Sequence, residues 1–245
     1  MALIKCSEFS EVMGQWIDFE VLIPRNVTGD FKTLYLLHGL KFDYSSWVRR
    51  TNIERYADEA GIAVVMPDGG RSFYTDMVNG RPYYSFVSDE LISMTRRMFR
   101  LSDKREDTFI GGLSMGGYGA LRIGFLNPDK FSRIAVMSAA TDITYWANNP
   151  EWERENHLIT GGRSDLVGSE YDLYHLAEEL IASGKPLPSI YQACGTEDFL
   201  YDTNVRFRDF LESKNFDHIY EEGPGEHNYY YWESKMKDVV TFVAK

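Results

Sequence analysis

Short apolar runs alternate with amphipathic stretches along nearly the whole chain. TLYLLHG and IAVVMPDG are apolar almost throughout, the pattern of strands covered on both faces. The pattern predicts strands near 2–9, 16–23, 33–38, 62–67, 107–113, 133–138, 189–194 and 217–221. Helical spacing falls near 46–60, 86–100, 115–126, 171–183, 200–214 and 228–243. In the first of these, Ile53, Tyr56, Ala57 and Ala60 share a face and Gly61 closes the segment. Asn127-Pro128 ends the third, because proline lacks the backbone donor and clashes with the preceding turn. A short turn around Met13-Gly14 makes the first two strands an antiparallel edge pair. One helix per strand from there on argues for an α/β protein, an eight-stranded, mostly parallel sheet flanked by helices.

One connection breaks this rhythm. Residues 141–188, between the sixth and seventh strands, carry Tyr145, Trp146, Trp152 and His157 before any helix is expected. Insertions of that length are usually functional or disordered. With no repeat, low-complexity tract or linker elsewhere, residues 1–245 read as a single domain with one lid-like insertion. That insertion has the aromatic content to cover a site or to pair with a second copy of the chain, so a homo-oligomer stays open.

Composition narrows the classes. At 44% hydrophobic and 26% charged residues, the chain has the make-up of a globular protein with a sizeable core. A formal net charge of −11 disfavours nucleic acid and anionic membrane, since both would be repelled. No run approaches the roughly 18 apolar residues of a membrane span. MALIKCSEFSEV lacks the basic start and long apolar stretch of a signal peptide, so a cytoplasmic protein is expected. The sequon Asn26-Val27-Thr28 then has no meaning. Cys6 and Cys194 read as reduced thiols in strands. No metal-ligand spacing appears, and no metal or cofactor is expected.

The chemistry gathers around Ser114. DTFIGGLS reads as a strand and MGGYGALRIGFL as a helix, so Gly112-Leu113-Ser114-Met115-Gly116 is G-x-S-x-G at a strand-to-helix turn. A serine lifted off a sheet on a sharp turn needs small residues two before and two after it. The following helix N-terminus favours negative charge developing on a bound carbonyl. A phosphate-binding loop fits less well, because GGLSMGG lacks a Gly-Lys-[Ser/Thr] ending.

A nucleophilic serine needs a histidine base and an orienting acid, and after an elbow the chain order is serine, acid, histidine. Of His157, His175, His218 and His227, only His227 follows the last strand on a pliable loop, GPGEHNYYYWES. The acid belongs after the seventh strand, in Thr196-Glu197-Asp198-Phe199-Leu200, where Asp198 is preferred to Glu197. Asp198 would also serve as a helix N-cap. The backbone amides of Met115 and of Leu40, in LHGLKFDYSSW, are the candidate oxyanion donors, and His38 is assigned a structural role.

The ordered blocks LYLLHGL, SSW, VVMPDG, FIGGLSMGGYGALR, CGTEDFLYDTN and GEHNYYYW resemble the bacterial tributyrin esterases of the esterase D-like group of α/β-hydrolases. The resemblance runs nearly end to end and implies Ser114, Asp198 and His227 as the triad. It implies the α/β-hydrolase fold and a serine carboxylesterase acting on small, short-chain acyl esters. The same group includes feruloyl and acetyl-xylan esterases, S-formylglutathione hydrolases and acyltransferases. S-formylglutathione hydrolases usually carry a cysteine shortly after the oxyanion glycine, where this chain has Leu40-Lys41-Phe42. A catalytically dead scaffold used for binding is the rival from outside the enzymes. Trp47, Tyr74, Trp146 and Trp152 are candidates for the substrate pocket.

Overall fold

The runs that read as doubly covered strands lie at the centre of one sheet. The computed structural model describes residues 1–25, 27–144 and 148–245. Its strands are β1 (Ala2–Ser10), β2 (Gln15–Ile23), β3 (Thr33–Leu37), β4 (Ala63–Pro67), β5 (Thr108–Leu113), β6 (Arg133–Met137), β7 (Ser189–Gly195) and β8 (His218–Gly223). They form an eight-stranded sheet in the order β1-β2-β4-β3-β5-β6-β7-β8. β1 pairs antiparallel with β2, and β2 with β4; every other pairing is parallel. This is the α/β-hydrolase fold.

Why the central strands are apolar at every position is visible in their side-chain directions. Successive residues of a strand point to opposite faces. In β4, Ala63 and Val65 enter one core while Val64 and Met66 enter the other. In β3, Tyr35 and Leu37 face the first core, and Leu34 and Leu36 the second. The second core is covered by α1 (Ser46–Arg50), α2 (Ile53–Ala60) and, at the end of the chain, α8 (Tyr229–Ala244). The first is covered by α3 (Leu91–Met98), α4 (Met115–Leu126), α6 (Leu173–Ala182) and α7 (Tyr201–Ser213). Among the described residues, no helix is long and apolar enough to cross a membrane.

Three helical expectations change. The segment 46–60 is two helices, not one, because Thr51 is extended and Asn52 is drawn out to Glu233, whose carboxylate accepts its amide at 2.9 Å. Gly61 closes α2 in the left-handed conformation, as its position implied. The helix expected at 86–100 begins earlier, with a turn at Tyr83–Ser85 and a π-helical turn at Phe86–Glu90 ahead of α3. Within the insertion, where no helix was expected before 171, α5 (Glu153–Thr160) forms. Glu155, almost wholly buried, accepts two hydrogen bonds from Arg71, and the Ile159 and Leu158 carbonyls accept the amides of Val78 and Asn79. These partners come from the loop after β4, a long-range support that local periodicity cannot reveal.

Candidate active site

Parallel strands leave their carboxyl ends at one rim of the sheet, and in open α/β sheets that rim is where ligands bind. β3, β5, β7 and β8 each deliver one part of the site there. Ser114 sits between β5 and α4 at φ 54°, ψ −116°, a left-handed backbone costing a non-glycine residue about 1–3 kcal/mol. The flanking glycines explain how the turn fits. A Cβ on Gly116 would lie 2.2 Å from the Leu37 carbonyl oxygen, and one on Gly112 would lie 2.5 Å from Gly116. The turn is pinned by the Ser114 amide donating to Met137 O at 3.0 Å and the Ala140 amide donating to Ser114 O at 3.2 Å.

His227 stands on the loop between β8 and α8, just before Asn228, whose side chain caps α8 by accepting the amides of Tyr230 and Tyr231. Its Nε2 lies 2.9 Å from Ser114 Oγ. Its Nδ1 lies 2.9 Å and 2.8 Å from the two carboxylate oxygens of Asp198. A carboxylate only accepts, so Nδ1 carries the proton and Nε2 is free to receive the serine proton. The Asp198 side chain is fully buried, whereas the His227 side chain keeps 17% of its surface exposed. The N-cap of α7 is Leu200, not Asp198, whose Oδ1 accepts the Leu200 amide at 2.8 Å in the turn ahead of that helix while the carboxylate also meets His227. Glu197 points elsewhere: its exposed carboxylate receives the Gly225 amide and the Thr196 hydroxyl.

His38 is fully buried, and its ring braces the loop after β3. Its Nδ1 donates to Gly39 O at 2.8 Å and its Nε2 accepts the Gly69 amide at 2.8 Å, which makes it the neutral Nδ1–H tautomer. Leu40, next along that loop, lines the same cavity as Ser114. Met115 is the first residue of α4, so its amide is among those with no partner inside the helix.

A cavity of about 420 Å³ opens over Ser114 and His227. Phe42, Trp152, Phe199 and Trp232 form its apolar walls, and Lys41, Asn149 and Glu151 its polar rim. Trp152, from the insertion, lines this cavity. Trp47 and Tyr74 do not line it. Both are wholly buried, Trp47 in the core beneath α1 and α2, and Tyr74 with its hydroxyl donating to His38 O at 3.2 Å. Tyr74 supports the Leu40 loop from behind instead of meeting a ligand. Trp146 and Tyr145 lie outside the described residues. Phe42, Phe199 and Trp232 were not assigned to the pocket from sequence. Phe199 directly follows Asp198, and Trp232 lies at the end of the block that contains His227, which was the available signal.

Among the described residues, no group of three His, Cys, Asp or Glu side chains is placed to hold a metal ion. Cys194 is buried near the acid, and burial followed by the Asp198 charge pushes its thiol well above the ordinary range. It is therefore a packed thiol without nucleophilic character.

A hydroxyl, an imidazole and a carboxylate in one hydrogen-bonded line at the rim of this sheet define the serine-hydrolase class. Residues 10–243 match the esterase family described as "Putative esterase", and the chain belongs to that family. It is a carboxylic ester hydrolase. The chain is 36% identical to an acetyl esterase of Caldicellulosiruptor saccharolyticus over 224 residues, covering 88% of this chain and 84% of that protein. Two solved structures from Staphylococcus aureus are also similar, each 34% identical and covering all of this chain. The substrate-bound fluorophosphonate-binding serine hydrolase FphF superposes with a TM-score of 0.95 over 98% of its length. The S-formylglutathione hydrolase FrmB, as apoenzyme, superposes with a TM-score of 0.91 over 99% of its length.

Proposed function

We infer that this esterase hydrolyses small, short-chain acyl esters through an acyl-enzyme on Ser114. The observation that carries the reading is the unbroken path from Ser114 Oγ through His227 to Asp198 beneath a mostly apolar cavity. Ser114 Oγ attacks the ester carbonyl as its proton passes to His227 Nε2. Asp198 holds the ring in the productive tautomer and stabilises the imidazolium. The amides of Leu40 and Met115 donate to the tetrahedral oxyanion. The imidazolium then protonates the departing alcohol. Water, deprotonated by the same ring, attacks the acyl-enzyme and releases the acid, and Ser114 regains its proton. At about 420 Å³ the cavity is at the small end of the roughly 300–1,000 Å³ range for small-molecule sites, which suits a short acyl group with a compact alcohol. The specific likeness to tributyrin esterases and the acetyl esterase relative accord with that size. The free thiols Cys6 and Cys194 accord with a cytoplasmic setting.

The likeness to FrmB favours a second reading, S-formylglutathione hydrolysis. Against it, the loop after the oxyanion glycine is Leu40-Lys41-Phe42, with no thiol. Initial rates on p-nitrophenyl esters of two to twelve carbons, methyl ferulate and S-formylglutathione separate the readings. The short-chain assignment expects kcat/KM to peak at two to four carbons and to exceed that for the other two substrates. A preference for S-formylglutathione or methyl ferulate would replace it. Ser114→Ala should abolish fluorophosphonate labelling and lower turnover by several powers of ten. Undiminished turnover by that variant would overturn the assignment of the nucleophile.

A further inference from the structure

The chain leaving β6 runs under the whole site. Met137 O accepts the Ser114 amide, Ser138 N donates to Ala193 O of β7 at 2.7 Å, and Ala139 O accepts Asn204 Nδ2 from α7 at 2.9 Å. Within this tightly held stretch, Ser138 adopts φ +47°, the left-handed region a serine enters only at a cost of about 1–3 kcal/mol. Such a conformation persists where the surroundings over-determine it, and it re-aims the side chain. Here the Ser138 hydroxyl turns toward α8, where its Oγ accepts Trp232 Nε1–H at 2.9 Å. Both residues are buried, at 0% and 1% exposure.

Trp232 in turn meets the catalytic imidazole. Its ring stands edge to face with that of His227, centroids 5.0 Å apart at 88°. On the other side, Phe199 lies 4.5 Å from the same imidazole. The hydrogen bonds of His227 to Ser114 and Asp198 restrain its ring nitrogens, but they leave tilt and sideways displacement of the ring to its packing. Trp232 is large enough to set that packing and has one polar atom by which its own orientation can be fixed. That atom is bonded to Ser138.

We propose that Ser138 and Trp232 act as one positioning pair for the base: the strained Ser138 hydroxyl holds the indole at the angle that keeps His227 aligned between Ser114 and Asp198. The strain beside the nucleophile thus has a function, tying the β6 end that pins the elbow to the helix that follows the base. The inference rests on His227 being the base of the proposed esterase reaction.

The test uses Ser138→Gly, Trp232→Phe and the double variant, with thermal unfolding and steady-state kinetics on p-nitrophenyl acetate. Glycine accepts the left-handed backbone without strain, so Ser138→Gly removes the hydroxyl with no backbone penalty. Ser138 does not line the cavity, so its loss should lower kcat about ten-fold while KM stays within about two-fold. Trp232→Phe removes the donor and should lower kcat at least as much. If the two act through one bond, the double variant falls no further than Trp232→Phe alone. A folded Ser138→Gly protein with wild-type kcat, or a double variant whose loss is the product of the two single losses, overturns the pairing. Should Ser138→Gly fail to fold, Ser138→Ala is read by the same criteria. Ser114→Ala keeps the two assignments apart: normal turnover there refutes the triad, whereas an inactive Ser114→Ala with a fully active Ser138→Gly refutes only the pair.

Discussion

Gly195 and Gly225 meet backbone to backbone between the loops that carry Asp198 and His227: a Cβ built on Gly195 would stand 2.1 Å from the Gly225 carbonyl oxygen. The contact is tied by the Thr196 amide donating to Gly223 O at 2.9 Å and the Glu197 amide donating to Gly225 O at 3.1 Å. Asp198 follows Gly195 by three residues and His227 follows Gly225 by two, so this approach sets the distance between them. Gly195→Ala must push the loops apart, because the obstructing atoms are backbone. A displacement of about 1 Å at a catalytic group costs on the order of 100-fold in rate. The expected result is a kcat lowered by about that factor together with a lower melting temperature. A fully active Gly195→Ala protein would show that the loops separate without consequence.

Asp198→Asn retains shape but removes the charge and puts an NH2 donor in place of one carboxylate oxygen, which works against the Nδ1–H tautomer. Turnover should fall by about 10⁴-fold. Glu197 is exposed and supports the loop through Gly225 and Thr196 only, so Glu197→Gln should stay within about ten-fold of wild type. Measuring both variants on one substrate checks the choice of acid. A larger loss in Glu197→Gln would reverse it.

The His38 ring joins the loop after β3 to the loop after β4, beyond the end of the β3–β4 pairing. His38→Phe leaves Gly39 O and the Gly69 amide without their partner, at about 1–3 kcal/mol for each buried polar group left unpaired. Displacing Leu40 should also weaken oxyanion binding and lower kcat about 10- to 100-fold, short of losing a donor altogether. His38→Gln offers one acceptor and one donor and should recover part of both effects. Equal kinetics in the two variants would argue against the brace.

The acid stability of the protein should carry the signature of a histidine outside the site. Burial pushes His218 down from 6.5 to about 4, the Arg208 charge adds to this, and Asp217 partly opposes it. The folded chain therefore keeps this ring neutral where the unfolded chain protonates it. Its contribution is present above about pH 6.5 and is lost as pH falls toward 4. Because the ring is partly solvated, the loss is set at about 1–2 kcal/mol, below the full linkage value. His218→Phe should flatten the fall in melting temperature between pH 7.5 and 4.5. An identical fall in both proteins would contradict this assignment.

Most of the fold was legible because its signals are local. A strand buried on both faces must be apolar at every position, and a helix must end where Gly61 or Pro128 interrupts it, whatever the rest of the chain does. The elbow is local too, since its strained turn and close packing require the glycines around Ser114. The division of 46–60 into two helices was hidden, because Asn52, after an extended Thr51, leaves the helix for a contact with Glu233 nearly two hundred residues away. Trp47 and Tyr74 misled for a related reason. A large aromatic has the same apolar surface whether it faces a ligand or closes the core behind it.

The sequence alone determined the order of the strands along the chain, most of the helices, the elbow turn around Ser114 and the loops that carry Asp198 and His227, because each follows from nearest neighbours along the chain. Tertiary structure decided which rings surround the base, which aromatics are core, what anchors the insertion, and how closely the β7 and β8 loops approach. Those are contacts between distant segments, and their geometry exists only once the sheet has brought its strand ends to one rim.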